Sequence, residues 1–224
     1  MSSPNDELSH ASLPLVADHL VFSYRRGVPV VRDVTHCFEA GSMTAITGPS
    51  GKGKSTLLYI LSGLLRPNSG TVWSHDISLY TVAESVRCRV RAQRFSFIFQ
   101  DAALNPRRSV LDAIREPCIY AGASLSTARS RALGLMHRLG VEVAPDARPR
   151  EISGGQAQRI GVCRALMLHP EVIFADEPAG NLDSGSATAV LDALHEAARD
   201  GTVVLVATHD DRVLSRCDQR LDLA

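Results

Sequence analysis

The segment GPSGKGKST, Gly48 to Thr56, follows an apolar run, Met43 to Thr47, and opens a stretch with leucines at 57, 61, 64 and 65. It fits G-x-x-x-x-G-K-[ST] in the context where that pattern works, between a buried strand and a core-facing helix. Glycines at 48, 51 and 53 let the backbone curl so that successive N–H groups point inward, and the helix N-terminus adds its positive end. The residues expected to cradle phosphate are Gly48, Ser50, Gly51, Lys52, Gly53, Lys54, Ser55 and Thr56. Lys54 reaches the β and γ phosphates of a nucleotide, and Ser55 offers its hydroxyl to Mg²⁺. Composition supports the assignment: of 24 Lys+Arg residues, only Lys52 and Lys54 are lysines. Arginine serves elsewhere, and lysine survives where a compact ammonium must press against phosphate oxygens. That reading attaches to Lys54; Lys52 can be incidental.

Three further apolar runs, Phe95 to Phe99, Val172 to Ala175 and Thr202 to Ala207, read as buried strands. Each ends on polar residues: Gln100, the pair Asp176 and Glu177, and Thr208 with His209. Ligands of open parallel sheets bind beyond the carboxyl ends of the strands, so these endings converge with Gly48 on one crevice. Two carboxylates at the end of a buried strand require a cation, and Asp176 is the expected Mg²⁺ partner, directly or through water. Glu177, one residue on, can polarise a water for in-line attack on a γ-phosphate. Gln100 can bind Mg²⁺ or the attacking water and relay nucleotide state into the segment after it. His209 can hydrogen-bond the γ-phosphate and hold Glu177.

Strands alternating with helical patterns, Lys54 to Leu65 and Asp183 to Arg199, give an α/β class with a mostly parallel sheet. The N-terminal LVADHLVFSY and VTHCFEA look like antiparallel strands flanking the nucleotide-binding core. From Asp101 the alternation breaks into helix-leaning, Arg- and Ala-rich sequence, with a linker over Pro145 to Pro149. This is expected to be an inserted helical subdomain at about 101–168, within one domain over 15–224 that follows a polar tail, 1–14.

A length of 224 residues with 45% hydrophobic side chains can bury a substantial core. A formal net charge of +0 with dispersed basic residues argues against a nucleic-acid partner. Cysteines at 37, 88, 118, 163 and 217 form no C-x-x-C pair, which fits a reducing cytosol better than a disulfide framework or zinc site. No apolar run reaches the ~18 residues of a membrane span, and the polar N-terminus lacks a signal-peptide core. A membrane role must therefore come through another chain.

ISGGQAQRI, Ile152 to Ile160, decides among phosphate-binding families. With the other motifs it makes the chain resemble nucleotide-binding subunits of ATP-binding cassette transporters, in family order from Tyr24 to His209. Physically, Ser153 can cap a helix beginning near Gln156, with Gly154 and Gly155 exposing N–H groups at its positive end. The resemblance implies that Ser153, Gly154, Gly155 and Gln156 serve the ATP of a second copy, in a head-to-tail dimer that sandwiches two ATP molecules. It also implies that Tyr24 stacks on adenine and that Asn181 to Asp183 crosses the dimer interface. Departures are modest: Ile152 replaces a leucine, Lys52 a small residue, and Ala179 a threonine or serine. None removes a group with a chemical role, so the resemblance implies a competent, magnesium-dependent ATPase.

ADEPAGNLD and RFSFIFQDAALNP are similar to ATPases paired with macrolide-export, lipoprotein-release and antimicrobial-peptide-resistance permeases. The expected partner is a separate transmembrane permease, docked on the helical insert near Asp101 to Arg115, with the subunit on the inner face of the cell membrane. The expected cargo is a peptide, lipopeptide or antibiotic. ALNP also occurs in relatives serving oligopeptide importers. With about fifteen residues after His209, a regulatory domain of the sugar-importer sort is not expected. Competing readings are a soluble cassette ATPase acting on ribosomes, DNA or iron–sulfur assembly, a small-molecule kinase, and a non-catalytic binding subunit.

Overall fold

The computed structural model describes residues 15–25, 27–49 and 51–223. The expected polar tail over 1–14 and the expected phosphate-loop residue Ser50 lie outside the described residues.

The N-terminal part pairs as anticipated. Strands β1 (Leu15–Phe22) and β2 (Val31–Phe38) run antiparallel and are joined by β4 (Ser69–Ser74) and β5 (Ile77–Ser78), in the order β2-β1-β4-β5. The second sheet is wholly parallel. It consists of β3 (Met43–Thr47), β6 (Phe95–Ile98), β7 (Val172–Asp176), β8 (Val203–Ala207) and β9 (Gln219–Asp222), in the order β6-β7-β8-β3-β9.

Strands buried on both faces read as unbroken apolar runs, which is why β3, β7 and β8 were legible. Alternation then sorts their side chains. Val172, Phe174, Val203, Leu205 and Ala207 pack with the antiparallel sheet and with α1 (Lys54–Leu61). Ile173, Ala175, Val204 and Val206 pack on the opposite face with the remaining long helices. These are α3 (Val110–Ala121), α4 (Leu125–Arg138), α5 (Gly154–Ala165) and α6 (Ser184–Arg199). Three of them, α3 to α5, lie within the predicted insert, and the predicted linker caps the first: the carbonyls of Ala147 and Pro145 accept the N–H groups of Val110 and Leu111.

Several expectations need correction. Helix α1 ends at Leu61, not Leu65, because Gly63 turns left-handed (φ 73°) and the N–H groups of Leu64 and Leu65 both fold back to the Tyr59 carbonyl. Leu64 is consequently 53% exposed. Helix α5 begins at Gly154, two residues before the predicted Gln156, because the Ser153 cap accepts the Gln156 N–H and so sets the first turn. Asp183 is likewise the cap of α6 and not its first residue. Helix α2 (Glu84–Arg94) was not foreseen: only Val90 of its residues is buried, so it carries no apolar stripe. Short α7 (Asp211–Leu214) connects β8 to β9.

Candidate nucleotide site

Register brings the polar strand endings together. Ile98 of β6 pairs with Ala175 of β7, and Asp176 of β7 pairs with Ala207 of β8. Ala207 in turn lies opposite Ile46 of β3. The chain therefore leaves four adjacent strands at the same level, carrying Gly48, Gln100, Glu177 and Thr208. The result is a cleft of about 600 Å³ lined by Tyr24, Val30, Gly48, Pro49, Gly51, Gly53, Lys54, Ser55, Thr56, Gln100, Asp176, Glu177 and His209.

The floor is the glycine loop. Gly53, the N-cap of α1, has φ 94°, and a Cβ there would lie 2.7 Å from Val30 Cγ1 and 2.8 Å from the Val30 carbonyl oxygen. Gly48 has φ 138°, and a Cβ would meet the Leu223 carbonyl oxygen at 2.7 Å. Both positions require glycine for conformation and for space. Lys54 Nζ donates to the Gly48 carbonyl at 3.0 Å and the Pro49 carbonyl at 3.4 Å, which holds the ammonium over the loop. Lys52 is exposed and absent from the cleft wall.

Asp176 is buried, and desolvation pushes its carboxyl above the usual range; a hydrogen bond from Ser55 opposes this, and the Glu177 charge adds to it. Glu177 sits in the left-handed region (φ 47°), with its N–H held by the Ala207 carbonyl at 2.9 Å. Its Oε2 accepts the Thr208 hydroxyl at 2.9 Å, and its Oε1 lies 2.6 Å from His209 Nδ1. In the sequence Thr208 is only a strand ending, yet its buried hydroxyl also accepts the Asp210 N–H at 3.0 Å. Nothing local marks it for this task, since the contact joins residues from two strands.

Tyr24 lines the same cleft, 64% exposed, with its phenolic oxygen 3.1 Å from Thr56 Oγ1 and its ring edge-on to Phe22. Ser153, Gly154, Gly155, Gln156 and Asp183 do not line the cleft. They form helix caps elsewhere. Ser153 Oγ accepts the Gln156 N–H at 3.2 Å while Gln156 Oε1 accepts the Ser153 N–H at 2.9 Å. Asp183 accepts the Ser186 N–H at 3.0 Å, and hydrogen bonding from the Ser186 side chain, followed by that from its N–H, holds the Asp183 carboxyl below the usual range.

The ABC transporter family model matches residues 31–180. The chain is 41% identical over 197 residues to the lipoprotein-releasing system ATP-binding protein LolD 1 of Caulobacter vibrioides, covering 87% of this chain and 84% of that one. It is also 41% identical over 197 residues to the macrolide export ATP-binding/permease protein MacB of Rhodopseudomonas palustris, covering 88% of this chain but 30% of that longer protein. A solved dimeric ATP-binding cassette in a post-hydrolysis state, bound to ADP and Pi, superimposes with a TM-score of 0.87 at 29% identity, covering 93% of each chain. With the glycine loop and four converging strand ends in one cleft, the chain belongs to the ABC transporter family, as one of its ATP-binding, ATP-hydrolysing cassettes.

Proposed function

We propose that this chain is the motor of a transporter whose permease is a separate protein, and that it hydrolyses ATP between two copies of itself. One observation carries the reading. The glycine loop, Asp176, Glu177, Gln100 and His209 share a cleft, whereas the capped end of α5 at Ser153 to Gln156 lies outside it. A second anion-binding helix end with no place in its own chain's cleft is accounted for if it closes over the ATP of a partner copy. The solved dimeric cassette bound to ADP and Pi supports this arrangement.

In this reading Tyr24 stacks on adenine, the backbone N–H groups of the loop and Lys54 grip the phosphates, and Glu177 orients and deprotonates the attacking water. Thr208 and His209 fix the Glu177 carboxylate, with His209 also turned toward the γ-phosphate, and Asp183 stands at the dimer interface. Ser55, Asp176 and Gln100 offer only oxygen donors, the set magnesium takes alongside waters and phosphate oxygens. The buried Asp176 carboxyl gains a counter-charge there, so the residues fit the ion. Magnesium, when bound, neutralises charge on the phosphate oxygens. The nucleotide-binding domain spans 15–224, with its helical subdomain at about 101–168.

Among the described residues, no helix is long and apolar enough to cross a membrane. MacB relatives join an ATP-binding part to a permease in one chain, of which this chain spans 30%. We assign the permease role to another polypeptide, which brings this chain to the inner face of the membrane. The docking surface is an apolar groove of about 680 Å³ between α2, β6 and α3, lined by Cys88, Phe95, Phe97, Phe99 and Tyr120. No residue of the expected Asp101 to Arg115 segment lines this groove, which flanks that segment at Phe99 and Tyr120. The relatives' names, lipoprotein-releasing and macrolide export, support the lipid-modified and antibiotic classes of the expected cargo, which the permease would hold.

The test is the mass of the purified chain by light scattering. Glu177→Gln with ATP and magnesium should double in mass and lose about 10²–10⁴-fold in turnover, the usual contribution of a general base. Lys54→Ala should stay single and lose ATP affinity by at least about tenfold, from the missing charge-assisted bonds. Wild-type chains that hydrolyse ATP at full rate while strictly monomeric would overturn the reading.

A further inference from the structure

Ala102 and Ala103 are consecutive non-glycine residues in the left-handed region, with φ of 60° and 46°. Such backbone costs free energy for any residue with a Cβ, and it persists only where the surroundings over-determine it. Here the surroundings are α5. Arg164 donates from Nη2 to the Ala102 carbonyl at 2.8 Å and from Nη1 to the Ala103 carbonyl at 3.1 Å, so one guanidinium fork spans both strained residues. Six residues earlier on α5, buried Gln158 donates from Nε2 to the Phe99 carbonyl at 3.1 Å and approaches the Pro178 carbonyl at 3.5 Å. Phe99 immediately precedes Gln100, and Pro178 immediately follows Glu177. The Phe99 carbonyl also accepts the Ala102 N–H at 3.2 Å, which closes the turn on itself.

We propose that Gln158 and Arg164 are positioning residues that hold Gln100 and Glu177 in fixed relation to each other and to α5, the helix whose capped N-terminus is Ser153. Displacement of that N-terminus is then felt at both residues, because α5 grips the backbone on the far side of each. This rests on the proposed roles of Gln100 and Glu177 in hydrolysis. Helix packing alone would not require a guanidinium to bridge two strained carbonyls. The fork is what makes the left-handed turn the stable one.

The strain supplies the test. Full-length Arg164→Met should show about tenfold faster amide hydrogen exchange over residues 99–103, a similar fall in kcat, and a KM for ATP within about twofold of the parent. Ala103 is exposed, so Ala103→Gly removes no packing and takes the positive φ without a Cβ penalty. Added to Arg164→Met, it should return exchange and kcat to within about threefold of the parent. Loss of a merely structural contact would not be repaired by a glycine on the other side of it. Unchanged exchange in Arg164→Met overturns the clamp, as does failure of the glycine to restore both readouts. Exchange that quickens and recovers while hydrolysis never moves shows a clamped turn with no part in the reaction. Gln100→Ala measured alongside separates the cases, because parent-like hydrolysis there sinks the role of Gln100 and not the grip of Arg164.

Discussion

Thr208 Oγ1 donates to Oε2 of Glu177 at 2.9 Å while accepting the Asp210 N–H at 3.0 Å, so the proposed base is held by a hydroxyl that is itself oriented by backbone. His209 takes the other carboxylate oxygen at 2.6 Å. The two differ in surroundings: Thr208 is buried, whereas the His209 side chain is 81% exposed. Thr208→Val keeps the shape and removes the donor. It should lower kcat by about five- to tenfold, the worth of one buried hydrogen bond, and leave ATP affinity unchanged. Steady-state kinetics read the split; a change confined to KM would count against a positioning role.

Separate placement of the cleft and the Ser153 helix end leads to a mixing experiment. Ser153→Arg should bind ATP like the parent and lose hydrolysis, because the damaged group serves the other copy. Lys54→Ala should fail at its own cleft while keeping an intact Ser153. Mixed together, the two inactive chains should recover hydrolysis, since each mixed pair contains one site built from undamaged parts. No recovery, or normal hydrolysis by Ser153→Arg alone, would contradict the sandwich.

Gly53→Ala tests the loop geometry. The new Cβ would meet Val30 at 2.7 Å from Cγ1 and 2.8 Å from the carbonyl oxygen, at a φ of 94°. Overpacking and left-handed strain together cost roughly 2–5 kcal/mol. Thermal unfolding should shift down by roughly 4–20 °C for a chain of this size, and ATP affinity should fall with it. Gly27→Ala is the control, because its φ is also positive (83°) but no atom lies within 4 Å of the added Cβ.

The cysteines should differ in reactivity according to burial. Burial pushes the Cys163 thiol up to about 12 and the Cys217 thiol up to about 11, so neither supplies thiolate near neutral pH. Cys118 is buried as well, and its thiol is also raised by desolvation. Cys88 is exposed on α2 at the wall of the apolar groove. Brief alkylation of the native chain, read by peptide mass spectrometry, should modify Cys88 first and Cys163 last. Because Cys88 lines the proposed docking groove, permease bound there should protect it.

The sequence alone determined the features whose physics is local. A glycine loop between an apolar strand and a leucine-bearing helix, polar residues after apolar runs, and Ser153 three residues before Gln156 each carry their meaning within a few positions. The four strands that end at the cleft, the phosphate loop and the convergence of Gln100, Asp176, Glu177 and His209 were therefore legible, whereas β4, β5 and β9, which carry no unbroken apolar run, were not. Tertiary structure decided what depends on residues far apart in the chain. Thr208 reaches Glu177 only because β7 and β8 run parallel in one register. Arg164 meets Ala102 and Ala103 only because α5 packs against the turn that follows β6. Helix α2 is held by arginine side chains on distant carbonyls, with Arg91 Nη1 donating to Gly63 at 3.0 Å, in place of an apolar stripe. Periodicity reports which face of an element seeks the core. It carries no record of which distant carbonyl a guanidinium or an amide will find, since that pairing exists only after the elements have packed.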